Sequence, residues 1–144
     1  MKLVSQQSGM TLIEFILVMM IIGVLSVVVI PKLDIASYFA TPVGGGAFMI
    51  ASDIRYAQEF AMANRISKSV VFTSGASVYT FSPSSGLDPS GQLPSGVTVG
   101  SNFTVTFNSL GEPIAGGGGS VSVSIGGQTK TISVVNYTGK VTIS

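Results

Sequence analysis

Residues 9–30 read GMTLIEFILVMMIIGVLSVVVI, and the fold turns on how this stretch is read. Over residues 15–30 every position is apolar or small, with Gly23 and Ser26 the only interruptions, and the next charge is Lys32. Counted from Met10, the segment has the roughly 20 residues that a helix needs to cross a hydrocarbon core. Glu14 breaks the pattern. A carboxylate inside such a run costs several kcal/mol unless it is neutralised or paired.

An apolar run near the start of a chain also fits an ordinary secretory signal or a plain membrane anchor. The residues ahead of it carry only Lys2, and Pro31-Lys32-Leu33 follows it in place of a small-x-small cleavage site. A plain anchor has no use for Glu14.

Gly9-Met10-Thr11-Leu12-Ile13-Glu14 resembles the processing site of type IV prepilins and type II secretion pseudopilins. The resemblance implies a hydrophilic leader (1–9), removed by a prepilin peptidase between Gly9 and Met10, and N-methylation of the new Met10 amine. That family usually has Phe where this chain has Met10. It further implies that Glu14 of an incoming subunit faces the Met10 amine of a neighbour in the filament, an ion pair suited to fixing register. Lys2 and Lys32 flank the span almost evenly, so the positive-inside rule gives no orientation. The resemblance supplies one: a single pass through the inner membrane, with the C-terminal domain in the periplasm.

At 144 residues the chain has room for one anchor and one small domain. Removing Lys2 from the 7 basic residues leaves 6, against 6 acidic ones, so the mature chain lacks the basic footprint of a nucleic-acid binder. Charged residues make up only 9%, a density suited to a subunit buried among neighbours. Cysteine and histidine are absent, which removes disulfides, Cys/His zinc sites and Ser-His-Asp triads. The acids Glu14, Asp34, Asp53, Glu59, Asp88 and Glu112 are scattered. No metal, cofactor or enzymatic activity is expected.

Pro31 lies at the outer edge of the apolar run and predicts a kink, so a transmembrane and filament-core helix is expected over 10–40. Thr41-Pro42-Val43-Gly44-Gly45-Gly46 predicts a break at 41–46, because each helical glycine costs about 1 kcal/mol relative to alanine. Helical periodicity returns over 47–66, where Ala47, Ile50, Ile54, Ala57 and Ala61 form one apolar row. Ser52, Arg55 and Glu59 fall opposite. The remainder, 67–144, reads as short strands. Residues 69–73 and 78–81 flank a turn at 74–77, and 82–96 is a long Ser/Pro/Gly loop. Strands follow at 97–99 and 103–107, then a glycine-rich loop at 111–119. Gly126-Gly127 joins strands 121–125 and 129–135 as a hairpin, and a last strand covers 140–143. The fold class is α+β, an amphipathic helix packed on an antiparallel sheet behind a long hydrophobic helix.

The combination of anchor helix, Asp53-Ile54-Arg55-Tyr56-Ala57-Gln58-Glu59, Ala63-Asn64-Arg65 and a final Gly139-Lys140-Val141 resembles the GspH/FimT group of minor pseudopilins and minor pilins. It implies a structural minor subunit of the type II secretion pseudopilus, partnered by other pilins through its N-terminal helix. The alternatives are a minor type IV pilin that primes pilus assembly and a DNA-capture pilin for natural transformation. Lys130 and Lys140 are the only basic residues after Lys68 and hence the only DNA-contact candidates. Since phosphate contacts scale with Lys/Arg number, no nucleic-acid partner is expected.

Overall fold

The computed structural model describes residues 12–29 and 41–144. Gly9, Met10 and Pro31 lie outside the described residues. The chain divides into two compact units, Met1–Ala36 and Ser37–Ser144.

In the first unit α1 spans Leu12–Val29. Its 18 described residues rise about 27 Å at 1.5 Å per residue. Among the described residues no helix is long and apolar enough to cross a membrane. The long helix expected over 10–40 is thus described only in this part. Leu12, Ile13, Met20 and Val24 are among its exposed large apolar side chains.

The second unit opens with α2, Pro42–Asn64. The break expected at 41–46 is instead the start of this helix. Thr41 is its N-cap, with Oγ1 accepting from the Gly44 amide at 3.3 Å, and Pro42 stands at the first turn, where its missing N–H costs nothing. Gly46 is buried, and a Cβ there would lie 3.1 Å from Val97 Cγ1. Close packing against the chain before β3 therefore offsets the weak helix propensity. The helix ends at Arg65, in the left-handed conformation (φ 56°), whose amide donates back to Ala61 O.

Eight strands follow: β1 Lys68–Phe72, β2 Thr80–Ser82, β3 Thr98–Val99, β4 Phe103–Phe107, β5 Pro113–Ala115, β6 Ser120–Ile125, β7 Gln128–Val134 and β8 Val141–Ile143. They form two antiparallel sheets, ordered β2-β1-β4-β5 and β3-β6-β7-β8; a single sheet was the sequence expectation. β5 lies inside the expected glycine-rich loop, pairing with β4 across a register shift at Thr106/Phe107. The β6–β7 hairpin closes through Gly126 (φ 55°) and Gly127 (φ 83°), with Ile125 opposite Gln128. Both φ are positive, as a type I′ turn requires.

One face of α2 lies against strands of both sheets. Ala47, Ile50, Ile54, Ala57 and Ala61 are each 0% exposed and meet Val70, Val105, Phe107, Val121, Val123 and Ile132 in one core. Ser52, Arg55 and Glu59 are exposed. The helix thus serves as the wedge that gives both sheets their buried face.

Candidate functional site

Glu14 is in the first turn of α1 and exposed. A carboxylate there meets the positive end of the helix dipole. The helix below it is apolar on every side, a pattern that belongs in lipid or inside a larger assembly rather than in water.

Inside the domain, the polar residues of α2 fasten loops and strands. Lys68 opens β1 on the same alternation as Val70 and Phe72, so its side chain points into the core and is 0% exposed. Its ammonium lies 2.6 Å from Asp88 Oδ1 and donates to Pro83 O at 2.6 Å. It also sits 4.4 Å from the centre of the Phe60 ring. Asp88 further accepts from the Tyr56 hydroxyl at 3.1 Å and from the Ser85 amide at 2.6 Å. Burial alone would raise the Asp88 pKa, but Lys68, the Ser85 amide and Tyr56 outweigh it and hold the carboxyl below its ordinary value. The cluster ties α2, β1 and the loop after β2 at one point.

A second fastener joins α2 to the residue just ahead of β2. The buried Tyr79 hydroxyl donates to Asp53 Oδ2 at 2.6 Å. Desolvation pushes the Asp53 carboxyl up, with the Tyr79 hydrogen bond opposing it, and burial beside Asp53 raises Tyr79 as well. A third is Gln58, whose Nε2 donates to Gly111 O at 2.7 Å and Thr138 O at 2.9 Å. It clips the β4–β5 turn of one sheet and the β7–β8 turn of the other to the same helix. A shallow groove of about 440 Å³ runs beside β2, lined by Tyr79, Phe81, Ser84 and Asp88 among others. The Asp88 carboxylate at its wall is already committed to Lys68, Tyr56 and Ser85. Among the described residues no cluster of acids could hold a metal ion.

The two DNA-contact candidates do not converge. Lys130 shares the alternation of the buried Ile132 and Val134 on β7, whereas Lys140 is exposed and opposes Val135 on the outer face. Five residues separate Lys130 from Val135, about 16 Å along a strand. None of these fastening contacts was expected from sequence. Lys68 carried a readable signal, since a cation on the inward alternation of a strand demands a buried partner. Asp88, alone in a Ser/Pro/Gly loop, carried none.

No protein-family model matches the chain, and no curated protein matches it. Among solved structures, two crystal forms of the Pseudomonas aeruginosa (strain PAO1) type IV minor pilin FimU are similar. The form in space group P21 gives a TM-score of 0.55 at 13% identity, covering 71% of this chain and 87% of that one. The P65 form gives 0.51 at 12% identity, covering 69% and 90%. The fold is type IV pilin-like.

Proposed function

We propose that this chain is a minor subunit of the type II secretion pseudopilus, held in the inner membrane by its N-terminal segment with the domain in the periplasm. Prepilin peptidase cuts between Gly9 and Met10, and the Met10 amine is then methylated. The observation that carries the reading is the position of Glu14 in the first turn of α1, an otherwise all-apolar helix. Apolar on every side, α1 needs lipid or neighbouring helices around it, and transfer from membrane to filament exchanges one apolar environment for another. Glu14 then supplies the register, since a buried carboxylate is tolerated only where a cation meets it. The fastened domain is a rigid body that the helix carries into the filament.

A minor type IV pilin is the second reading, favoured by the likeness to FimU. DNA capture gains no support from Lys130 and Lys140, which face opposite sides of their sheet. Deletion of the gene separates the readings. Loss of exoprotein release with normal piliation is the expected result; loss of pili with intact secretion moves the subunit to the pilus. Glu14→Ala is expected to leave cleavage and membrane insertion intact while depleting the subunit from sheared filaments. Undiminished incorporation removes the register role.

A further inference from the structure

Two sheets present four edges, and three of them are blunted. At the entry to β2 the chain folds back over residues 77–79, with the Tyr79 amide donating to Gly91 O and the Leu93 amide to Ser77 O. β3 is covered by residues 75 and 76, which take both backbone groups of Val99. β5 has Pro113 and a register shift, two devices that spoil an edge for pairing. β8 differs. It ends the order β3-β6-β7-β8, and no described strand flanks its outer side.

The direction of its backbone groups follows from the ladder. Ser144 and Thr131 exchange both hydrogen bonds (2.9 and 3.0 Å), and Val135 N donates to Lys140 O at 2.8 Å. Residues 140, 142 and 144 therefore face β7, and the N–H and C=O of Val141 and Ile143 face away. Among the described residues one of these four groups is engaged: Val141 O accepts from Arg55 Nη2 at 3.2 Å. Arg55 is exposed on α2, and among the described residues it has no carboxylate at ion-pairing distance, although Glu59 follows one turn later. A guanidinium has five donors, so most of this one remains available. Lys140, also exposed, stands at the start of β8, and residues 140–144 contain no acid.

We propose that the free edge of β8 is a docking site for an extended, acidic segment of another polypeptide, which joins the sheet as its fifth strand. Main-chain bonds to Val141 and Ile143 supply the pairing, as in other cases of strand addition. An acidic side chain of the incoming strand draws the Arg55 guanidinium from Val141 O and frees that carbonyl, while a second acid meets Lys140. Arg55 thereby acts as a guard against indiscriminate pairing and as the element that selects charge. The inference rests on the domain alone and holds for a secretion pseudopilus and a pilus alike.

The test uses the full chain in zwitterionic micelles, with backbone amide exchange followed by NMR. The probe is a capped eight-residue peptide alternating valine and glutamate, compared with its lysine counterpart. The glutamate peptide is expected to slow exchange at the Val141 and Ile143 amides, and the lysine peptide to leave them unchanged. Ile143→Pro removes the outward N–H of residue 143 along with its side-chain packing on the core edge, at a position where an edge strand tolerates proline, and should abolish the protection of Val141 while the β6–β7 amides stay protected. Arg55→Gln should weaken glutamate-peptide binding several-fold without touching the ladder. Equal binding of both peptides, or protection surviving Ile143→Pro, overturns the proposal. Protection by an oligonucleotide but not by the glutamate peptide overturns it too.

Discussion

Asp88→Asn tests the cluster that ties α2, β1 and the loop after β2 together. The substitution keeps the shape of the side chain but removes the charge facing the Lys68 ammonium, which is 0% exposed. Removing one partner of a buried ion pair costs about 3–5 kcal/mol. Here the low end applies, about 3 kcal/mol, because the Pro83 carbonyl and the Phe60 ring still face the ammonium. Lys68→Met should cost less, about 1–2 kcal/mol. Asp88 lies nearer the surface, with 10% of its side chain exposed, and it keeps the Ser85 amide and the Tyr56 hydroxyl. At about 4–8 °C per kcal/mol for a domain of this size, Asp88→Asn should lower the melting temperature by roughly 12–24 °C. The assay is thermal unfolding of the full chain in micelles, followed by near-UV circular dichroism of its tyrosines. The sign with pH is also fixed. The Asp88 pKa is depressed in the fold, so its stabilisation is fully present above the unfolded value near 3.9 and is lost as pH falls through the folded value. A variant pair in which Lys68→Met is as damaging as Asp88→Asn, or in which neither costs 1 kcal/mol, refutes the argument that burial of the ammonium sets the penalty.

Asp53→Asn should act in the opposite sense. The folded-state pKa of Asp53 is raised, so folding takes up a proton and the wild type loses stability as pH rises from the unfolded pKa to the folded one. Asparagine can still accept from Tyr79, and urea unfolding should find the variant equal to or more stable than wild type at pH 7.5, with that advantage shrinking towards pH 4. Gln58→Ala removes both bonds to Gly111 O and Thr138 O; at about 1 kcal/mol each the loss should be near 2 kcal/mol. Its signature is faster amide exchange at Gly111 and Gly139 with the β6–β7 hairpin unchanged.

How much of this was legible depends on whether a signal is local. The Gly126-Gly127 hairpin was readable because only positive φ satisfies a two-residue turn that matches strand twist. The inward row of α2 was readable because its spacing is that of a helix face, and each of its members is buried. Gly44-Gly45-Gly46 misled because helix propensity is a weak prior. The Thr41 cap, Pro42 and the close approach of Gly46 to Val97 override it. β5 was hidden by Pro113 and the neighbouring glycines, the same features that blunt it as an edge. The division into two sheets and the partnership of Lys68 with Asp88, 20 residues apart in sequence, are set by tertiary pairing, to which no local pattern points. Glu14 stood out for the opposite reason: it is the one charge in a run of apolar residues.

The central claim is that this chain is processed and assembled as a pilin-class subunit, and its N-terminus decides the matter most directly. Intact-mass and N-terminal peptide mass spectrometry of the protein from membranes of the producing cells should find a mature chain beginning at Met10, with a methylated amine, and full-length precursor only when Gly9 is replaced by Ala. A chain that keeps Met1 in the presence of active prepilin peptidase, or one cut beyond Pro31, contradicts the account.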